Sequence, residues 1–255
     1  MLGKEKEMLM RYKLKQALIV LSTLMTVMAV NAQPDPRAMA EESLGKLSAA
    51  DALAVDIAIA DEAVLHDGFK VRALREGEVL LSREGGFVFS RSGTIVDQKI
   101  AFDGQNVYGI GNNLEVFATA EMPDDTSVES AMDALTKEMG AYLPGRDLFY
   151  KDAAAGMFDG VTSGQYLGLM PVDGRSCHYT AFRSEDIDWH LWIGETDGLP
   201  CKYMITSRWI SGQPEFEMTF SSWNLSPELN RDSFALEKPD GYTEVTFDAM
   251  QSQPE

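Results

Sequence analysis

The sequence predicts a mainly β, α+β domain, and three observations carry that expectation. From Ala54 onward most of the chain falls into short runs that alternate apolar and polar residues or are rich in β-branched side chains, the pattern of half-buried strands. Asp-Gly pairs at 67–68, 103–104, 173–174 and 197–198 punctuate those runs. Glycine accepts the positive φ of a tight hairpin, so each pair reads as a turn between antiparallel strands. Helical periodicity, by contrast, is confined to two stretches beyond residue 32.

Taken in order, the chain opens on an export signal. Arg11, Lys13 and Lys15 precede an apolar run from Ala17 to Val30, broken only by Ser22, Thr23 and Thr26. At 14 residues this run is shorter than the ~20 a membrane span needs. Val30 and Ala32 supply small residues at the −3 and −1 positions, which puts cleavage between Ala32 and Gln33 and the mature chain in the periplasm. The start codon stays open among Met1, Met8 and Met10. Nothing later is apolar enough to span a bilayer, so a single mature domain over 33–255 is expected, without an integral membrane segment and as a monomer.

Asp35 followed by Pro36 supplies an N-cap and a first-turn proline, with Ala40, Leu44 and Leu47 on one face, which predicts a helix over 36–48. Strands follow in VDIAIADEAV, FKVRALREGEVLLS, GFVFSRSG, TIVDQKIAFDG, QNVYGIG and NLEVFATA, an antiparallel meander. Thr126 with Glu129 forms a capping box before Val128, Ala131, Met132, Leu135 and Met139, predicting a second helix over 127–140. LPGRDLFYKDAAAGMF reads as short helical or irregular cover. A second meander follows, with strands near 165–170, 176–183, 187–194, 201–210, 214–223 and 243–247.

Composition excludes some functions. Of 255 residues 45% are hydrophobic and 24% charged, enough for one sizeable core. Twenty-two Lys+Arg against 40 Asp+Glu give a formal charge of -18, and loss of residues 1–32 would leave the remainder more acidic still. Such a surface offers no extended basic footprint for nucleic acid or anionic lipid.

Few residues suggest bond-making chemistry. Cys177 and His178 are adjacent, but neighbours on a strand point to opposite faces, so they do not pair as nucleophile and base. His190, on the next strand, could approach one of them. Zinc would need three or four converging ligands, and three His with two Cys at scattered positions do not supply them. No phosphate loop, GxSxG, HExxH or calcium-loop pattern is present. We therefore expect no catalytic residues, no metal and no cofactor.

The two cysteines pull in opposite directions. An even pair in an exported chain favours a disulfide. Yet CHYTAFR, DWHLWI and CKYMITSRW read as three consecutive strands, which would set Cys177 and Cys201 two spacings apart, roughly 9.6 Å, against a Cα limit of ~7 Å for a bridge. The pairing stays open at this point. Aromatic residues crowd the last third, and Trp189 and Trp192, an odd number apart, belong to opposite faces of one strand. Core packing and the lining of an apolar cavity are both open to them.

The string VDGRSCHYTAFRSEDIDWHLWIGETDGLPCKYMITSRWISGQPEFEMTFSSWN resembles the DUF2092 family of predicted periplasmic proteins, as do PDPRAMAEESLGKLS, IAFDGQNVYGI and LPGRDLFY. The resemblance covers most of residues 34–247 and brings no catalytic motif. Cys201 stands where that family's LP-x-K-Y segment would carry a basic residue, which counts against a bridge. The family in turn is similar to the LolA/LolB lipoprotein-carrier superfamily. That similarity implies a strongly curved antiparallel sheet, an incomplete, open β-barrel, with helices covering its concave face and an apolar cavity between them. Under it the partner is an apolar small molecule, a lipid or a lipoprotein acyl chain, and the lining candidates are Phe87, Phe89 and Tyr108 from the first meander and Trp189, Trp192, Tyr203, Trp209 and Phe220 from the second. The competing expectation is a protein-interaction or envelope-stress sensor module, with a filled core and an exposed apolar edge for an envelope protein partner.

Overall fold

The computed structural model describes residues 33–93 and 96–251; the segment read above as an export signal lies outside the described residues. The elements are α1 (Pro36–Ala49), β1 (Ala52–Val64), β2 (Lys70–Ser82), β3 (Gly86–Gly93), β4 (Asp97–Phe102), β5 (Asn106–Gly111), β6 (Val116–Glu121), α2 (Val128–Lys137), α3 (Ala153–Phe158), β7 (Ser163–Val172), β8 (Arg175–Arg183), β9 (Ile187–Gly194), β10 (Pro200–Ser207), β11 (Glu215–Asn224), β12 (Thr243–Glu244) and α4 (Phe247–Gln251).

All twelve strands join one open, curved sheet in the order β12-β6-β5-β4-β3-β2-β1-β11-β10-β9-β8-β7. Both meanders form as the alternation predicts, and β1 welds them by pairing antiparallel with β2 on one side and β11 on the other. The sheet does not close into a barrel: β7 lies at one edge, and β12 pairs parallel with β6 at the other. In each Asp-Gly turn the glycine has φ between 68° and 93°, the conformation that makes glycine the fitting residue there. The expected last strand, 243–247, is only two residues long before the chain turns into α4. Gly109 leaves room for that docking: a Cβ there would come within 2.8 Å of the Met250 side chain and 3.0 Å of Phe247, and those side chains would have to shift.

Alternation sorts the sheet into two faces. The inner face carries Leu53, Val55, Ile57 and Ile59 of β1, Val79 and Leu81 of β2, Phe87 and Phe89 of β3, Phe220 and Met218 of β11, and Trp189 and Leu191 of β9, all in one buried cluster. α1 lies against β7, β8 and β9 on this side. Its Leu44 and Leu47 are fully buried, worth about 1.5–3 kcal/mol each. The Asp35 side chain caps it by accepting from the Arg37 N–H at 2.9 Å. α2 supplies Ala131, Met132 and Leu135, and a 3-10 turn at Arg146–Phe149 sets Phe149 edge-on to Phe89 at 5.5 Å. The cap of α2 is Ser127, whose Oγ accepts from the Ser130 N–H at 3.1 Å. Thr126 does not form the expected capping box: its hydroxyl donates to the Pro123 carbonyl, and Glu129 turns to Arg83.

Cys177 and Cys201 are joined in a disulfide with Cα atoms 6.7 Å apart. They do sit on β8 and β10 with β9 between, but two local features remove the geometric objection. Cys177 faces Gly194, the last residue of β9, which has no side chain to intervene. Cys201 is the unpaired residue where the β9–β10 register shifts between Pro200 and Lys202, a bulge that displaces it from the regular strand spacing.

Candidate ligand-binding site

The helical cover does not fill the inner face evenly. Where β1 begins and β2 ends, Leu53, Leu81, Phe87 and Phe102 are buried to within 1%. Toward the opposite end, where β1 runs out and β2 starts, burial gives way to half-exposed positions, and two cavities open there.

The first, about 330 Å³, lies between β9–β10 and the cover, with Ile187, Trp189, Tyr203 and Ile205 as sheet wall and Tyr150, Ala153 and Met157 as roof. The roof is held by polar contacts at its margin. The Tyr150 hydroxyl donates to Asp133 at 2.8 Å, and Arg146 donates to the same carboxylate at 3.2 Å. Burial and that hydrogen bond to Asp133 push the Tyr150 phenol up, and burial does the same to Tyr203, so both stay neutral hydroxyls. Hydrogen bonds from Lys137 and then Tyr150 hold Asp133 below the usual carboxylate range.

The second cavity, about 480 Å³ and wide open, is bounded by Ala63, Val71, Ala73, Ile210, Pro214 and Phe216, with Asp61, Arg75 and Tyr142 also in its lining. The two adjoin through a cross-strand pair, for Ile205 lines the first, Phe216 the second, and they face one another across β10 and β11. The segment after α2 passes between them. Gly145 there has φ 66°, a left-handed backbone that glycine adopts without strain, and it brings the chain close to the Met218 side chain. Both volumes fall within the roughly 300–1,000 Å³ common for small-ligand sites.

The aromatic lining candidates part company here. Trp189 and Tyr203 form wall of the first cavity. Phe87, Phe89 and Phe220 are in the filled part of the inner face, packed ring against ring, with Phe87–Phe89 centroids 5.7 Å apart. Tyr108, Trp192 and Trp209 do not line either cavity, and alternation is the reason for the first two. Tyr108 pairs with Ala101 on the outer face and packs with Val88 and Phe234, its hydroxyl donating to Asp103 at 2.8 Å. Trp192 lies on the outer face over the disulfide, stacked on Tyr179 at 4.3 Å with Lys202 above its ring. Trp209 is in the turn after β10 and is 69% exposed.

The residues considered for nucleophilic chemistry are engaged elsewhere. The Cys177 sulfur is in the disulfide. His178 Nδ1 shares a 2.9 Å hydrogen bond with the Tyr166 hydroxyl, and it borders a separate recess of about 200 Å³ beneath α1. His190 bonds to Tyr179 on the outer face, and burial lowers its pKa. Among the described residues no helix is long and apolar enough to cross a membrane.

The family model described as Predicted periplasmic protein (DUF2092) matches residues 38–248. The chain belongs to this family. None of the curated proteins matches its sequence. Among solved structures this DUF2092 chain is similar to lipoprotein LppX from Mycobacterium tuberculosis, at 14% identity over 78% of this chain and 100% of that one, with a TM-score of 0.44. It is similar to LprF from Mycobacterium bovis at 12% identity over 83% and 99%, TM-score 0.48. A LolA superfamily protein from Nitrosomonas europaea matches at 12% identity over 79% and 97%, TM-score 0.36.

Ile205, Met157 and Val71, aliphatic positions that border the openings of this DUF2092 protein, carry no aromatic signal, and Phe216, one of the aromatics of the last third, joins them there. Asp61, Arg75, Arg91 and Gln98 were not among the sequence candidates. Their signal was available: each continues the inner-facing parity of an otherwise apolar strand, Asp61 after Val55, Ile57 and Ile59, and Arg91 after Phe87 and Phe89.

Proposed function

We propose that this protein is a non-catalytic periplasmic carrier that holds an apolar chain, a lipid or an acylated peptide, at the open end of its half-barrel. The observation that carries this reading is the uneven cover: a filled inner face at one end and two adjoining, largely apolar-walled cavities at the other. Each methylene moved from water into such walls gains about 0.8 kcal/mol, so a chain of eight spans roughly 6 kcal/mol before ordering costs. In this reading residues 1–32 are removed between Ala32 and Gln33, the single domain 33–255 works as a monomer, and Trp189 and Tyr203 touch the ligand.

The test is a titration with the neutral probe N-phenyl-1-naphthylamine, whose fluorescence rises out of water. Saturable uptake is expected, weakened by Met157→Glu or Val71→Glu, two wall positions not fully buried. No uptake by the folded wild type contradicts the reading. A second reading, docking of an envelope protein, is favoured by Leu65, Phe69 and Trp209, exposed at 48%, 65% and 69% on hairpin turns that meet where Gly212 approaches Val64. Loss of periplasmic crosslinks on Phe69→Ser, with probe uptake unchanged, would support it.

A further inference from the structure

The open end carries a polar layer that an apolar carrier has no need of. Toward the same end of the sheet the inner-facing parity of four successive strands carries Asp61, Arg75, Arg91 and Gln98. Asp61 and Arg75 form an ion pair across β1 and β2 and line the larger cavity. Arg91 donates to the buried Gln98 amide oxygen at 2.6 Å and lies under the Tyr142 ring at 5.1 Å, and Tyr142 in turn lines that cavity beside Arg75.

Two imbalances stand out. The layer holds two guanidinium groups to one carboxylate, and no carboxylate among the described residues lies within 4.0 Å of Arg91, although burial and the field of Arg75 both disfavour its charge. A partly buried cation without a carboxylate partner gives up solvation that an anion would restore. In addition, the Arg75 Nε donor is buried without a hydrogen-bond partner in the protein, in a setting where buried polar atoms are nearly always satisfied. Glu62 and Glu215 also border the cavity, but they occupy outer-face positions, and Glu62 is already taken by Lys70 at 2.6 Å and by the Glu215 N–H at 3.1 Å.

Resting on the carrier reading above, we infer that the ligand is a single acyl chain bearing a carboxylate, its head received at Arg75 within the field of Arg91 and its chain lying along Val71, Ala73 and Phe216. Within this inner-face layer one monoanion would balance the second guanidinium, and an arginine fork suits a carboxylate. The chain then rests on the apolar wall that adjoins Arg75 in the same cavity.

The test displaces N-phenyl-1-naphthylamine with decanoic acid, methyl decanoate and decylamine at neutral pH. Charge-assisted bonds predict that the acid displaces the probe at about tenfold or lower concentration than the ester or the amine. Arg91→Met should weaken that preference, read as the ratio of acid to ester displacement, and Arg91→Lys, which keeps the charge, should retain more of it. Equal displacement by acid and ester, or a preference untouched in folded Arg91→Met, overturns the inference and leaves the carrier reading standing. Failure of the wild type to bind the probe at all overturns the carrier reading and the inference with it.

Discussion

Replacing Arg83 with methionine should unlatch the helical cover from the sheet. Arg83 is in the turn between β2 and β3 with its side chain 10% exposed. It donates through Nη2 to the Leu47 carbonyl at 3.0 Å and through Nη1 to the Phe149 carbonyl at 2.5 Å, with longer contacts of 3.4 Å to the Ala50 carbonyl and to Glu129. One guanidinium thus satisfies carbonyls at the end of α1 and in the 3-10 turn, and reaches α2 as well. A cation at a helix C-terminus is also favourably placed against the helix dipole. Methionine keeps the buried stem and removes the donors. Two short bonds to a charged donor at about 1.5–3 kcal/mol each, with little from the longer pair, give a loss of roughly 3–5 kcal/mol, a large share of the ~5–15 kcal/mol typical of a domain. Urea unfolding followed by tryptophan fluorescence reads it directly: with a slope near 2 kcal/mol/M the midpoint should fall by about 1.5–2.5 M at unchanged slope. Arg83→Lys should lose less, since an ammonium still reaches one carbonyl. A loss below ~1 kcal/mol for Arg83→Met would refute the claim that this residue ties the cover down.

Removing the disulfide as Cys177→Ser with Cys201→Ser frees a loop of 24 residues' separation and should cost about 3.5 kcal/mol by loop entropy, read as a lowered urea midpoint. Because the bridge lies on the outer face, probe uptake by the folded variant should not change. Asp188 accepts two bonds from Arg183, at 2.7 and 2.6 Å, and these hold its carboxyl below the usual range. Its stabilisation is fully present above the unfolded value of about 3.9 and is lost as pH falls through the folded one. Asp188→Asn should therefore lower stability at neutral pH and flatten its decline below about pH 4, measured by denaturant midpoints across that range. Trp209→Ser, at a position 69% exposed, should move stability by no more than ~0.5 kcal/mol and leave probe uptake unaltered; weakened uptake would bring this residue back to the binding wall.

The strand pattern was legible because alternation and Asp-Gly turns are local: both meanders and α1 stand where periodicity puts them. The joining of β1 to β11 was not, since a pairing between residues 54 and 224 leaves no mark within either segment. The disulfide was obscured by regular strand spacing, which assumes no bulge at Cys201 and a side chain where Gly194 has none. At the site, parity alone separated Trp189 from Trp192, yet which parity faced the helices depended on packing. Hence Tyr108 and Trp192 were grouped with residues on the other side of the sheet. The polar layer of Asp61, Arg75, Arg91 and Gln98 was written in the sequence as charged or amide residues at apolar parity, but only the strand registers bring them to one end.

The central claim, that the open end of the half-barrel carries an apolar chain, meets its most direct test in native mass spectrometry of the protein purified from a bacterial periplasm, with organic extraction of what travels with it. The account predicts a bound mass in the lipid range that extraction removes, retained in Trp209→Ser and lost in a folded Met157→Glu variant. A clean apo mass for the wild type, or a bound mass that persists when Met157 and Val71 are both replaced by glutamate, would contradict it.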